Sequence, residues 1–119
     1  MDRRITEFKD GIAKKLQGFD LKRQVNVSSD YTIHELKLRE EYKIPIENLS
    51  KTFEIRKEDD KTFKEGDLLI LKIIDDKNNL TGDIISAQIN YVTRDKEFCK
   101  EGYAVMSITY LKTTNMFIY

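Results

Sequence analysis

The sequence predicts an α+β domain in which one amphipathic helix precedes a mostly β unit. Three observations predict it. Ile5, Phe8, Ile12, Leu16 and Phe19 recur at steps of three and four, which draws one apolar stripe along a helix. Segments 33–39 and 51–56 alternate polar and apolar residues, as strands with one buried face do. From Leu68 onward, apolar runs are separated by tracts rich in Asp, Asn and Gly.

The helical stripe falls within residues 1–24. Gly11 lies inside it and costs about 1 kcal/mol relative to alanine, so the helix is expected to depend on docking. Residues 24–32 carry Asn26, Ser28, Ser29 and Asp30 and read as a linker. In the first strand, His34, Leu36 and Leu38 take the inward register, while Glu35, Lys37 and Arg39 take the outward one. Pro45 cannot sit mid-helix but suits a first helical position, so a helix between 40 and 50 would be entered irregularly through 42–44 and make one turn from Pro45 to Leu49.

In the next strand, Phe53 and Ile55 are expected to face the core and Thr52, Glu54 and Arg56 the other side. On this reading Arg56 is exposed and Ile55 is a core residue. A charged turn over 57–61 follows, and Gly66-Asp67 leads into an apolar strand over 68–74. Residues 75–83 read as a hairpin loop. A long strand from about Ile84 to Arg94 and a closing strand over 103–111 complete the unit, and the apolar tail 113–119 lies beyond them.

Composition narrows the function classes. The chain has 119 residues, enough for one core and no second domain. Lys and Arg total 21, as do Asp and Glu, so no net field draws the protein to nucleic acid, and sequence-blind polyanion binding is disfavoured. No apolar run reaches the roughly 18 residues that a membrane helix needs. The N-terminal residues lack the apolar stretch of a secretion signal, so a cytoplasmic location and no membrane partner are expected. His34 and Cys99 are the only residues of their types, which leaves no histidine–cysteine zinc site. The acidic loop 75–83 fails the calcium pattern because Lys77 intervenes and no glutamate closes it. No metal or cofactor is expected.

If the strands at 33–39 and 51–56 lie side by side, charges of both signs converge on one patch. Opposite charges paired across a solvated sheet produce the same pattern, so spacing alone leaves both readings open.

The run from Ile33 to Ile108 resembles the ASCH domains, relatives of the PUA fold, and within them a small bacterial and phage branch. The ASCH signature is a glycine, a lysine two residues on, a glutamate three further and an arginine two beyond that. Here Lys51, Glu54 and Arg56 stand in register, with Leu49 at the glycine position. The segments Ile33-His34-Glu35-Leu36-Lys37, Phe63-Lys64-Glu65-Gly66-Asp67 and Glu101 to Ile108 follow the family order. The resemblance implies a PUA-like β-barrel with short helices over residues 33–112, to which the N-terminal helix is an addition. It also implies an RNA- or nucleotide-binding module whose polar cleft takes an unpaired or modified base. Lys51 and Arg56 would meet phosphate or carbonyl oxygens, and Glu54 would accept from a base or hold Arg56. Lys37 and Glu35 lie across from them on the first strand, Tyr42 offers a stacking ring, and His34 stands near the cleft mouth, as a histidine does in related proteins.

Two other readings remain. Some ASCH relatives are amidohydrolases acting on acylated nucleosides through a lysine and a threonine three residues on; here that second position is Glu54, so the nucleophile is missing. A non-catalytic protein-interaction domain, docking through the helix and tail, is the third. The oligomeric state is not legible in the sequence.

Overall fold

The computed structural model describes residues 31–116. The predicted N-terminal helix and residues 117–119 of the tail lie outside the described residues. Five strands form one strongly curled sheet, a half-barrel: β1 (Ile33–Arg39), β2 (Phe53–Lys57), β3 (Leu68–Ile74), β4 (Leu80–Thr93) and β5 (Tyr103–Asn115). A 3₁₀ turn (Glu40–Tyr42) and one short helix, α1 (Lys43–Glu47), connect β1 to β2. The order across the sheet is β1-β3-β4-β5-β2, with β1 parallel to β3 and the other neighbours antiparallel.

β3 coincides with its predicted span, and nearly every residue in it is buried, as befits a central strand covered on both faces. Leu69, Leu71 and Ile73 join Ile85, Ala87, Ile89, Ala104, Met106 and Ile108 in the main core, together with Leu38, Ile46 and Phe63. On the opposite face Leu68, Ile70 and Ile84 form a smaller cluster with Tyr31, Ile33, Leu111 and Met116 around it. Register shifts between Ser86 and Ala87 and between Ile89 and Tyr91 break the β4–β5 ladder. Bulges of this kind increase local twist and help a sheet to curl.

Three boundaries differ from the sequence expectation. The 75–83 hairpin is tighter: the Asp75 carboxylate accepts from the Lys77 and Asn79 amides at 2.9 Å, so β4 begins at Leu80. The closing strand runs on to Asn115, because β4 is long enough to pair with it as far as Asp83. The helix starts at Lys43 and carries Pro45 as its third residue. Its missing N–H falls among the first four of a helix, which have no intrahelical partner.

The largest correction concerns β2. It does not neighbour β1; among the described residues the two are the opposite edges of the curled sheet. Its faces are also reversed. Phe53 and Ile55 are 44% and 54% exposed, whereas Glu54 is 3% exposed. The cause is register: Glu54 pairs with Met106 and Arg56 with Ala104, two core-facing residues of β5, whereas Phe53 pairs with the exposed Ser107.

Candidate functional site

Because the sheet does not close, a cleft of about 590 Å³ opens between the end of β1, the helical connection and β2. Lys37, Leu38 and Arg39 line it from β1, Tyr42 and Pro45 from the connection, Ser50 and Lys51 from the turn, and 53–56 from β2.

The turn that delivers Lys51 is built on the end of α1. Asn48 caps the helix, and Leu49 follows with φ of 68°, in the left-handed region. A residue in this conformation just past a helix end is most often glycine, which has no Cβ to clash. The Lys51 amide then donates to the Pro45 carbonyl at 2.9 Å, which folds the chain back towards β2.

The Lys51 ammonium donates to the Phe53 carbonyl at 2.7 Å and to Glu54 Oε1 at 2.5 Å. It also lies 5.2 Å from the Tyr42 ring centroid and 5.0 Å from that of Phe53, within cation–π range of both. On the other carboxylate oxygen, Arg56 Nε donates to Glu54 Oε2 at 2.9 Å. One buried carboxylate thus holds two cations. Arg56 spends only Nε on this pair, so its two terminal amino groups can serve a ligand. Lys37 and Arg39 are exposed at the rim, and Arg39 pairs with Glu41 at 3.1 Å. Four cations against one carboxylate line the cleft of a chain with no net charge.

Five of the residues singled out in the sequence, Lys37, Tyr42, Lys51, Glu54 and Arg56, come together here. His34 and Glu35 do not line the cleft. His34 is buried, with Nε2 2.8 Å from Asp67 Oδ2 and its ring 4.7 Å from that of Phe63. Asp67 also accepts from the Thr32 and Lys64 amides, so the trio fastens the start of β1 to the turn before β3. Glu35 stands 4.0 Å from Lys72 of β3. Sequence reasoning missed Arg39 as a cleft residue, although its place two residues after Lys37 on one strand puts both on the same face. It also missed Asp67, whose contact with His34 links positions far apart in the chain.

Two supporting networks flank the cleft. Glu47 on α1 accepts from Thr113 Oγ1 at 2.6 Å and from Lys43 at 3.1 Å, and Tyr110 Oη lies 2.7 Å from the same threonine hydroxyl. The Thr113 hydrogen bond, with help from Lys43, holds the Glu47 carboxyl below its ordinary value. Arg94 grips Glu58 through Nε at 2.6 Å and through a terminal nitrogen at 2.9 Å. That pairing, and a bond from the Phe63 amide, lowers the Glu58 pKa. Among the described residues no group of three or more His, Cys, Asp or Glu side chains is placed to hold a metal ion, and no helix is long and apolar enough to cross a membrane.

A family model described as Domain of unknown function (DUF3850) matches residues 33–108, most of the chain and all of the cleft, and the chain belongs to that family. No curated protein matches it.

Proposed function

We propose that this DUF3850 domain is a binding module of the ASCH/PUA-like type, whose cleft takes an unpaired or modified base together with its phosphate. The observation that carries this reading is the Lys51–Glu54–Arg56 cluster: a buried carboxylate fixes two cations at the wall of an open cleft whose rim adds Lys37 and Arg39. Recognition of single-stranded nucleic acid needs local cations, fixed polar groups and an apolar or aromatic surface, and this cleft supplies all three. The resemblance of the Lys51, Glu54 and Arg56 spacing to the ASCH signature supports the same assignment.

A hydrolytic role finds less support. The Lys51 amine is engaged by the Phe53 carbonyl and the Glu54 carboxylate, two contacts that hold it as a donor and not as a base facing a substrate. No hydroxyl stands three residues on.

Titration of the labelled protein with the four 5′-mononucleotides and with short single-stranded RNA at low salt tests the binding reading. Amide resonances of residues 51–56 are expected to shift, and Lys37→Ala combined with Arg39→Ala should weaken binding at least tenfold, about 1.4 kcal/mol. Both residues are exposed, so the fold should survive. If no resonance in 51–56 moves with any of these ligands, the reading is wrong.

A further inference from the structure

Phe53 and Ile55 line the cleft, yet their side chains lie on the outer face of the sheet. The hydrogen-bond pattern of β2 resolves the paradox. The Ile108 amide donates to the Thr52 carbonyl, and the Glu58 amide donates to the Gly102 carbonyl. Phe53 pairs with Ser107 and Lys57 with Tyr103, so these two bonds sit at Thr52 and Glu58 in the same antiparallel register. In an antiparallel ladder, bonded and non-bonded positions alternate. Glu54 and Arg56 therefore turn their main-chain groups towards β5, and Phe53, Ile55 and Lys57 turn theirs away. Among the described residues no strand lies on that side, because β2 ends the sheet. Lys51 gives independent confirmation: its ammonium reaches the Phe53 carbonyl from the cleft. That carbonyl is occupied, whereas the N–H and C=O of Ile55 are the next pair along the same edge.

We infer that this open strand edge reads the base, with the Ile55 amide and carbonyl meeting the Watson–Crick edge of a nucleobase. The inference rests on the nucleotide reading above and adds the recognition element to it. A residue in an extended strand presents its N–H and C=O side by side and in the same direction. A nucleobase presents an adjacent donor and acceptor on its Watson–Crick edge, so one residue of strand edge makes two hydrogen bonds to it. Arg56, on the opposite face of the same strand, and Lys51, beside the occupied carbonyl, are then placed for the anionic part of the ligand. Main-chain recognition accounts for an otherwise odd feature. The strand that bears the buried ionic cluster leaves two large apolar side chains exposed beside a main-chain edge that is turned away from β5.

The experiment compares ribose 5-phosphate with the four 5′-mononucleotides on wild-type protein, Ile55→Ala and Ile55→Pro, reading affinity by calorimetry and amide exchange by NMR. Proline removes the N–H and is tolerated at edge positions whose N–H faces away from the ladder. Ile55→Ala keeps both main-chain groups and should lose less affinity for the preferred mononucleotide than Ile55→Pro does. Ile55→Pro should lose at least tenfold for that mononucleotide and remain unchanged for ribose 5-phosphate. In the wild type, saturating mononucleotide should slow exchange of the Ile55 amide at least tenfold, a readout that does not depend on the proline variant folding. Unchanged exchange at Ile55 in a bound complex overturns the inference and leaves the nucleotide reading standing, as does equal loss in the alanine and proline variants. Ribose 5-phosphate binding as tightly as every mononucleotide also overturns it, since the base is then not read. If no mononucleotide binds, the nucleotide reading falls and this inference falls with it.

Discussion

Lys51 and Glu54 form an ion pair at 2.5 Å in which the lysine comes from the turn before β2 and the carboxylate from the core-facing side of that strand. Arg56 completes the arrangement from the other carboxylate oxygen at 2.9 Å. Glu54 is thus the keystone, because both cations are positioned through it.

Removing it should be costly. Glu54→Gln leaves two partly buried cations without their counter-charge, and a loss of about 3 kcal/mol is expected, the lower end for breaking a buried ion pair. Ile55→Ala, at the neighbouring position, should change stability by less than about 0.5 kcal/mol, because its side chain is mostly in solvent. Urea denaturation of the two variants checks the order. The reverse order would restore the facing expected from the alternation alone.

Leu49 occupies a left-handed conformation just past α1, and its side chain is exposed. An L-residue there pays roughly 1–2 kcal/mol in steric clash, and glycine gives back part of that gain as backbone entropy. Leu49→Gly should therefore stabilise the domain by about 0.5–1 kcal/mol. A thermal melt that shows loss of stability would mean that the Leu49 side chain makes contacts outweighing the strain.

The Arg94–Glu58 pair should leave a signature in acid. Glu58 titrates below the ordinary glutamate value of 4.5 in the folded protein, chiefly through its hydrogen bond from Arg94. A carboxyl whose folded pKa is depressed contributes stability that is fully present above the unfolded pKa. That contribution is lost as pH falls through the folded pKa. Arg94→Ala should lower the urea midpoint at pH 7 and narrow the gap to wild type on going from pH 5 to pH 3. A gap that is constant across this range would show that the pair does not act through Glu58 ionisation.

His34 should behave as a structural residue. His34→Ala removes a ring packed on Phe63 and the partner of a buried aspartate, which should cost roughly 3 kcal/mol. Mononucleotide affinity of the folded fraction should stay within twofold of wild type. Calorimetry showing a tenfold loss at full folding would return His34 to the binding site.

Local patterning carried much of the architecture. The run from Leu68 to Ile74, apolar except for Lys72, has almost no solvated face to offer, which suits a central strand, and β3 is one. Alternation in β1 placed Leu36 and Leu38 inward correctly: Leu38 is buried in the main core and Leu36 packs against it. The set Lys51, Glu54 and Arg56 was marked by its resemblance to the ASCH signature, whereas spacing alone left it open, and Pro45 limited the helix before it to a short one.

The facing of β2 was decided by tertiary structure alone. Alternation says that two faces differ but not which one is inside, and a one-residue change of register exchanges them. Hydrophobicity favoured Phe53 and Ile55. Pairing with Met106 and Ala104 instead turned Glu54 and Arg56 inward, where the two cations and the carboxylate satisfy one another. The separation of β1 from β2 was likewise beyond the sequence, since it follows from how far the sheet curls and where it stops pairing. His34 and Asp67 met for the same reason: the parallel pairing of β1 with β3 brings the start of one strand beside the turn that opens the other, and no local pattern encodes that contact.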